Sequence, residues 1–280
     1  MQNDQHYPFT LRFATFLSPV LYDAYAFIAS SIGEQIGCPS QLMVGHSLEE
    51  FVEGEAHIGF VCGLLYSQRT HCPFCPIELL AAPVPYPPRY QGKPLYFSDV
   101  IVHKESSFAS FEDLQGCRWG YNEHVSHSGW NLVRYSLYKQ GHTPHFFGST
   151  VETGSHQRSI EMVIQGKVEA AAIDSLVLDL FLLDNPDLAA QIRVIATLGP
   201  SAIPPVVVSK NLDVTLKQSI QALLLNMHRD PPAAKILHQS LIERFVPVTD
   251  EHYEDIYRMF TLVQAQEISP ILNPNMSKVV

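Results

Sequence analysis

No stretch of this chain reaches the ~18 consecutive apolar residues that a membrane-spanning helix needs. A chain that does not cross a membrane is therefore expected. Basic residues are scarce, with 18 Lys and Arg against 28 Asp and Glu and a formal net charge of −10. No basic run offsets this balance, so non-specific nucleic-acid binding is excluded as a function class. Cysteine is scarce too. The five present are an odd number, which leaves at least one thiol unpaired and argues against a disulfide framework. Met1 to Pro8 is polar, with neither a charged n-region nor an apolar h-region. The sequence as written shows no secretory leader, which makes the chain cytoplasmic as written and periplasmic if trimmed. A Gly-x-Ser-x-Gly elbow is missing, as is any paired metal motif.

What is present is the composition of a globular protein. Hydrophobic residues make up 46% and charged residues 16% of 280 positions, enough for one large domain or two medium ones. Strand-like and helix-like segments alternate. Leu11 to Phe16 reads as a strand, and Val20 to Ile36 as a helix closed by Gly37. Gln41 to Val44 is a short strand, and Ser47 with Glu50 three residues on forms a capping box. His57 to Val61, Ile77 to Val84 and Tyr96 to His103 read as strands. The proline-dense patch from Pro83 to Pro94 fits neither a helix nor a central strand and is expected to be an ordered loop.

A second series repeats the pattern. Arg118 to Tyr121 is a strand, followed by a loop at Ser126 and a helix closed by Gly141. His145 to Phe147 reads as a strand, Ser155 to Gln165 as a helix, and Glu169 to Ile173 as a strand running into Asp174 and Ser175. Ile192 to Ala196 and Val206 to Val208 are strands, and the remainder reads as helices. Such alternation predicts an α/β protein with mostly parallel sheets in two blocks. In such sheets ligands bind outside the carboxyl ends of strands. Cys62-Gly63, the Ser126 loop, Gly154-Ser155-His156 and Asp174-Ser175 all fall at such ends.

The Ser126 loop carries the most chemistry. Ser126-His127-Ser128-Gly129 directly precedes an amphipathic run from Trp130 to Tyr138. Hydroxyls and free N–H groups at a helix N-terminus bind an oxyanion without a formal cation. The plainer alternative is a serine cap that only starts the helix. An acidic chain that binds an anion must use a local site of this kind.

Several segments in order now support a resemblance. They are Tyr96-Phe97-Ser98-Asp99-Val100-Ile101-Val102, Phe111-Glu112-Asp113-Leu114-Gln115-Gly116, Ser126-His127-Ser128-Gly129, Gly154-Ser155-His156 and Gly166-Lys167-Val168-Glu169-Ala170-Ala171-Ala172-Ile173-Asp174. Together they resemble the phosphate/phosphite/phosphonate family of ABC-transporter substrate-binding proteins, from about Leu11 to about Asp230. That family is a branch of the two-lobed, type II periplasmic-binding-protein-like fold. The resemblance implies one lobe from residues 1–100 and 200–280, a second from 101–199, and a hinged interlobe cleft. It implies a small anionic ligand and, if the chain is exported, a transporter permease as partner.

Two departures from the family pattern stand out. The family's Thr in the Ser-Thr-Ser-Gly loop is His127 here. A carboxylate that meets an aminoalkyl tail is absent, and Ile203-Pro204-Pro205-Val206 stands there. The expected ligand-binding set is Tyr66, Tyr96, Ser98, Ser126, His127, Ser128, Gly129, His156 and Asp174. The serines supply O–H donors, and the histidines a charge-assisted bond if protonated. Three have a stated structural alternative, a core phenol for Tyr96, the start of a helix for Tyr66 and a first-turn polar residue for His156. Asp174 would repel an anion and is expected to hold a donor such as His156, or to meet a polar ligand tail. Cys72 and Cys75 form a Cys-x-x-Cys pair beside His71, a weak zinc signal with no second pair. No metal, cofactor or catalytic residue is expected. The alternatives are an enzyme on the same scaffold, chorismate-dehydratase-like or thiamine-precursor-synthase-like, and a ligand sensor.

Overall fold

The computed structural model describes residues 9–272, with side chains described as far as residue 266. Its described residues form two compact units, one from 9–95 and 202–253, the other from 96–201 and from 254 onward. The chain passes between them at Leu95/Tyr96, at Ser201/Ala202 and at Tyr253/Glu254. The residues from Glu254 on group with the second unit, whereas the sequence reading had kept them in the first lobe.

Strands and helices are numbered along the chain. The first unit holds β1 (Leu11–Thr15), β2 (Ser40–Val44), β3 (Ile58–Phe60), β4 (Ile77–Pro85), β10 (Val206–Ser209) and β11 (Ile242–Val246). They form one six-stranded sheet in the order β11-β4-β10-β3-β1-β2. β1 pairs parallel with both β2 and β3, whereas β10 and β11 run antiparallel to their neighbours. The sheet is thus mixed, and its returning strands β10 and β11 account for the antiparallel part. α1 (Tyr22–Ile36) buries Ala24, Tyr25, Ile28, Ala29 and Ile32, a spacing that follows one helical face. Its closure at Gly37 and the Ser47–Glu50 capping box both stand where the sequence places them.

The proline patch is corrected at its start alone: Tyr86 to Pro94 is loop, with a short 3-10 turn at Pro88–Tyr90, as expected. β4 runs through Pro83 and Pro85 and lies between β10 and β11. The reason is local: β10 pairs with β4 only over Ile77–Ala81, and β11 takes over from Ala82 to Pro85. The prolines therefore stand where β4 has a partner on one side, the edge position in which a missing N–H costs nothing. β11 itself was read as helix.

The second unit holds β5 (Leu95–His103), β6 (Arg118–Tyr121), β7 (Ser149–Glu152), β8 (Ala170–Asp174) and β9 (Ile192–Ala202), with strand order β7-β6-β8-β5-β9. β7 and β8 are both parallel to β6, and β5 is antiparallel to β8. The expected strand at His145–Phe147 does not form, and β7 starts at Ser149 instead. The two phenylalanines pack. Phe147 stacks on the buried Trp119 at 4.5 Å and Phe146 on Phe111 at 6.0 Å. An apolar doublet that fills a core from a loop looks like a strand to a pattern. With Val100, Val102, Leu114, Val133 and Ala172 these rings make the core on which the loops described next are mounted.

Candidate oxyanion site

β7, β6 and β8 are adjacent and parallel, so their carboxyl ends lie side by side. β6 leads into Ser126-His127-Ser128-Gly129, β7 into Gly154-Ser155-His156, and β8 ends on Asp174. Three of the four loops singled out in the sequence thus share one end of one sheet. The fourth, Cys62-Gly63, belongs to the other unit.

Ser126 caps a π-helical turn, His127–Asn131, that opens α3 (Leu132–Lys139). Its Oγ accepts the Gly129 N–H at 3.1 Å and its carbonyl accepts the Asn131 N–H at 3.0 Å. The N–H groups of His127 and Ser128, at the start of the helical run, have no intrahelical acceptor. Gly129 packs directly against Asn122, where a Cβ would lie 1.9 Å from Asn122 Oδ1. Asn122 in turn binds the neighbouring loop, its carbonyl accepting the Gly154 N–H at 2.9 Å. Gly154 has φ +87°, the left-handed conformation that glycine tolerates. Ser155 then caps α4 (His156–Ile164) by accepting the Arg158 N–H at 3.1 Å.

The two loops meet directly. Ser128 Oγ and His156 Nε2 lie 3.1 Å apart, both residues buried. Burial pushes the His156 imidazole down to about 4, so it is neutral at pH 7. Its Nδ1 is buried without a hydrogen-bond partner among the described residues.

His127 faces inward. Asn131 Nδ2 donates to its Nδ1 at 3.1 Å, which fixes the tautomer, and its Nε2–H donates to Ser201 Oγ at 2.9 Å. Both ring nitrogens are spent inside the protein, and burial pushes the ring down to about 3. The ring of Tyr96 lies 6.3 Å from it. His127 therefore braces the loop.

Ser98 on β5 is fully buried and donates its hydroxyl to the Ser128 carbonyl at 2.7 Å. It supports the loop from beneath. Asp174, opposite Ser98 in the β5–β8 register, caps α5 (Ser175–Asp184) by accepting the Leu176 and Val177 N–H groups at 2.8 and 3.3 Å. Burial pushes its carboxyl up to about 7, against those donors and with help from Asp99 and Asp179. It makes no bond to His156, so the expectation that it holds that ring is corrected. Tyr66 belongs to the first unit, on α2 (Gly63–Thr70), where its phenol donates to Asp250 and its ring meets Tyr253 edge-on at 5.2 Å.

Sequence reasoning missed Asn122, Asn131 and Ser201. Asn131 was findable, because it stands four residues after His127 on one helical face. Ser201 is 74 residues from His127 and left no local signal. The Cys72–Cys75 loop is made of free thiols whose sulfurs bond the carbonyls of Gln68 and Ile77 at 3.4 and 3.2 Å. Among the described residues no group of three or more His, Cys, Asp or Glu could hold a metal ion, and no helix is long and apolar enough to cross a membrane.

Two mixed α/β units, with hydroxyls and a helix N-terminus gathered at strand ends, define a type II periplasmic-binding-protein-like fold. The family model for periplasmic phosphonate substrate-binding proteins of ABC transporters matches residues 13–253, and the chain belongs to that family. The chain is also similar to a binding protein component of the ABC phosphonate transporter of Pseudomonas aeruginosa. There the TM-score is 0.81 and the identity 18%, over 93% of this chain and 88% of that one. It is similar to PhnD1 of Prochlorococcus marinus in complex with methylphosphonate, with TM-score 0.80, 17% identity, and 91% and 98% covered. The periplasmic aliphatic sulphonate binding protein of Escherichia coli shares the fold more distantly, with TM-score 0.60, 13% identity, and 94% and 89% covered. The chain is a substrate-binding protein of transport and not an enzyme.

Proposed function

We propose that the Ser126–Gly129 loop and His156 grip the phosphonate head of the ligand. The N–H groups of His127 and Ser128, the O–H of Ser126 and the Ser128–His156 pair act as neutral donors. The observation that carries this reading is the 3.1 Å contact between Ser128 Oγ and His156 Nε2, which joins two separate loops at one point. Neutral donors suit a chain of net charge −10, because they hold an anion without a cation that would itself need burial. Ser98, His127, Tyr96 and Asp174 shape the site from behind. The family's role makes a transporter permease the macromolecular partner.

Methylphosphonate tests this by calorimetric titration. Wild type binds it, and Ser128→Ala, which keeps the fold, binds about tenfold more weakly, the cost of one hydroxyl donor to a charged ligand. Equal affinity in the two proteins rejects the site.

A further inference from the structure

We propose that the Ser128–His156 pair selects an oxyanion carrying its own proton, a hydrogen phosphonate monoanion, over a fully ionised one such as a sulfonate. The inference rests on the site proposed above and adds the ligand's protonation state to it.

The argument is a count of hydrogens. A neutral imidazole and a serine hydroxyl hold two polar hydrogens between them. One lies in the 3.1 Å bond between Ser128 Oγ and His156 Nε2. If His156 donates, the Ser128 O–H points onward and His156 Nδ1 is left as a bare acceptor. If Ser128 donates, Nδ1–H points onward and Ser128 Oγ is left as the acceptor. Either way the pair presents one donor and one acceptor. Neither is filled from within the protein: His156 Nδ1, the acceptor in the first case and the donor in the second, has no partner among the described residues although the residue is only 6% exposed, and the Ser128 hydroxyl bonds the imidazole alone. Asn122 Oδ1, packed against Gly129, is a second buried acceptor without a donor.

A hydrogen phosphonate and a sulfonate are both tetrahedral and singly charged. They differ by one O–H. The first gives the acceptor its hydrogen, whereas the second sets an anionic oxygen against a lone pair and leaves a buried acceptor unfilled. Protonating His156 would repair the mismatch, but burial resists that charge. The titratable and charged groups on the elements packed against α4 are Arg118 and Tyr121 of β6, Asp174 of β8, and Asp179 and Asp184 of α5. On α4 itself Arg158 and Glu161 pair with each other at 2.7 Å. None of them bonds His156. Asp174, pushed up to about 7, ionises inside the tested range, and the methanesulfonate profile, whose ligand does not titrate there, carries that share, so the ligand's own response is the difference between the two profiles.

The test is calorimetry with methylphosphonate and methanesulfonate from pH 6 to pH 9. At pH 6 wild type should bind methylphosphonate about 10- to 100-fold more tightly than methanesulfonate. Above the second ionisation of methylphosphonate its affinity should fall about tenfold per pH unit, as the competent monoanion becomes scarce. In His156→Ala the acceptor is gone and the two affinities should come within about threefold. The pH profile of wild type stands as evidence even where that variant folds poorly. Methanesulfonate within about threefold of methylphosphonate in wild type overturns the proposal, as does methylphosphonate affinity that holds or rises with pH, and both leave the site standing. Binding of neither ligand at pH 6 overturns the site reading, and this proposal with it.

Discussion

Ser98 donates its buried hydroxyl to the Ser128 carbonyl at 2.7 Å, so the strand that opens the second unit holds the middle of the oxyanion loop. Ser98→Ala leaves that carbonyl without its donor in a dry place. The expected cost is about 1–3 kcal/mol of stability, measured by denaturant unfolding. Methylphosphonate affinity should fall as well, because the loop loses its support. Unchanged stability would show that water or a shifted neighbour replaces the bond.

The two buried histidines make stability fall with acid. His127 and His156 titrate in the fold at about 3 and about 4, below the ordinary value of 6.5 that the unfolded chain keeps. Their contribution is complete above pH 6.5 and is lost as the unfolded state takes up protons below it. Between pH 6.5 and about 4 both contribute, each by about 1.4 kcal/mol per pH unit. Asp174, raised to about 7, acts oppositely, since its stabilisation is present below pH 3.8 and lost as pH rises toward 7. The histidine share is therefore read as a difference. His127→Gln and His156→Gln should each flatten the stability-versus-pH slope between pH 6 and 4.5 by one proton. A slope unaltered by either substitution contradicts the buried neutral state.

Gly129→Ala would drive a Cβ to 1.9 Å from Asn122 Oδ1. Overpacking of this kind costs about 1–3 kcal/mol. Because the obstacle is one side-chain oxygen, the double variant Gly129→Ala with Asn122→Ala should recover most of the loss in thermal unfolding. Additive losses would place the conflict in the backbone instead.

Tyr66 gives its phenol to Asp250 within the first unit. Tyr66→Phe should lower stability by about 1 kcal/mol while leaving methylphosphonate affinity within twofold. A large affinity loss with unchanged stability would make Tyr66 a ligand contact.

Much of this was legible in the sequence because it is local. The Ser47–Glu50 box, the Ser126 cap and the carboxyl-end position of three loops follow from residues within a turn of one another. What was missed depends on distance in the chain. Pro83 and Pro85 look forbidden in a central strand until β10 is seen to stop at Ala81. Phe146 and Phe147 read as strand because the rings they stack on, Phe111 and Trp119, are far away in the chain. His127 offered a bond to the ligand on paper, and only the positions of Asn131 and Ser201 show that both ring nitrogens are used inside.

Histidine side-chain NMR on wild-type protein titrated with methylphosphonate tests the central claim most directly. The account predicts that the His156 ring nitrogens shift on binding, since Nε2 meets the Ser128 hydroxyl that the ligand engages. The His127 nitrogens, bonded to Asn131 and Ser201, should move far less. A saturating titration that leaves His156 unmoved contradicts the proposed site.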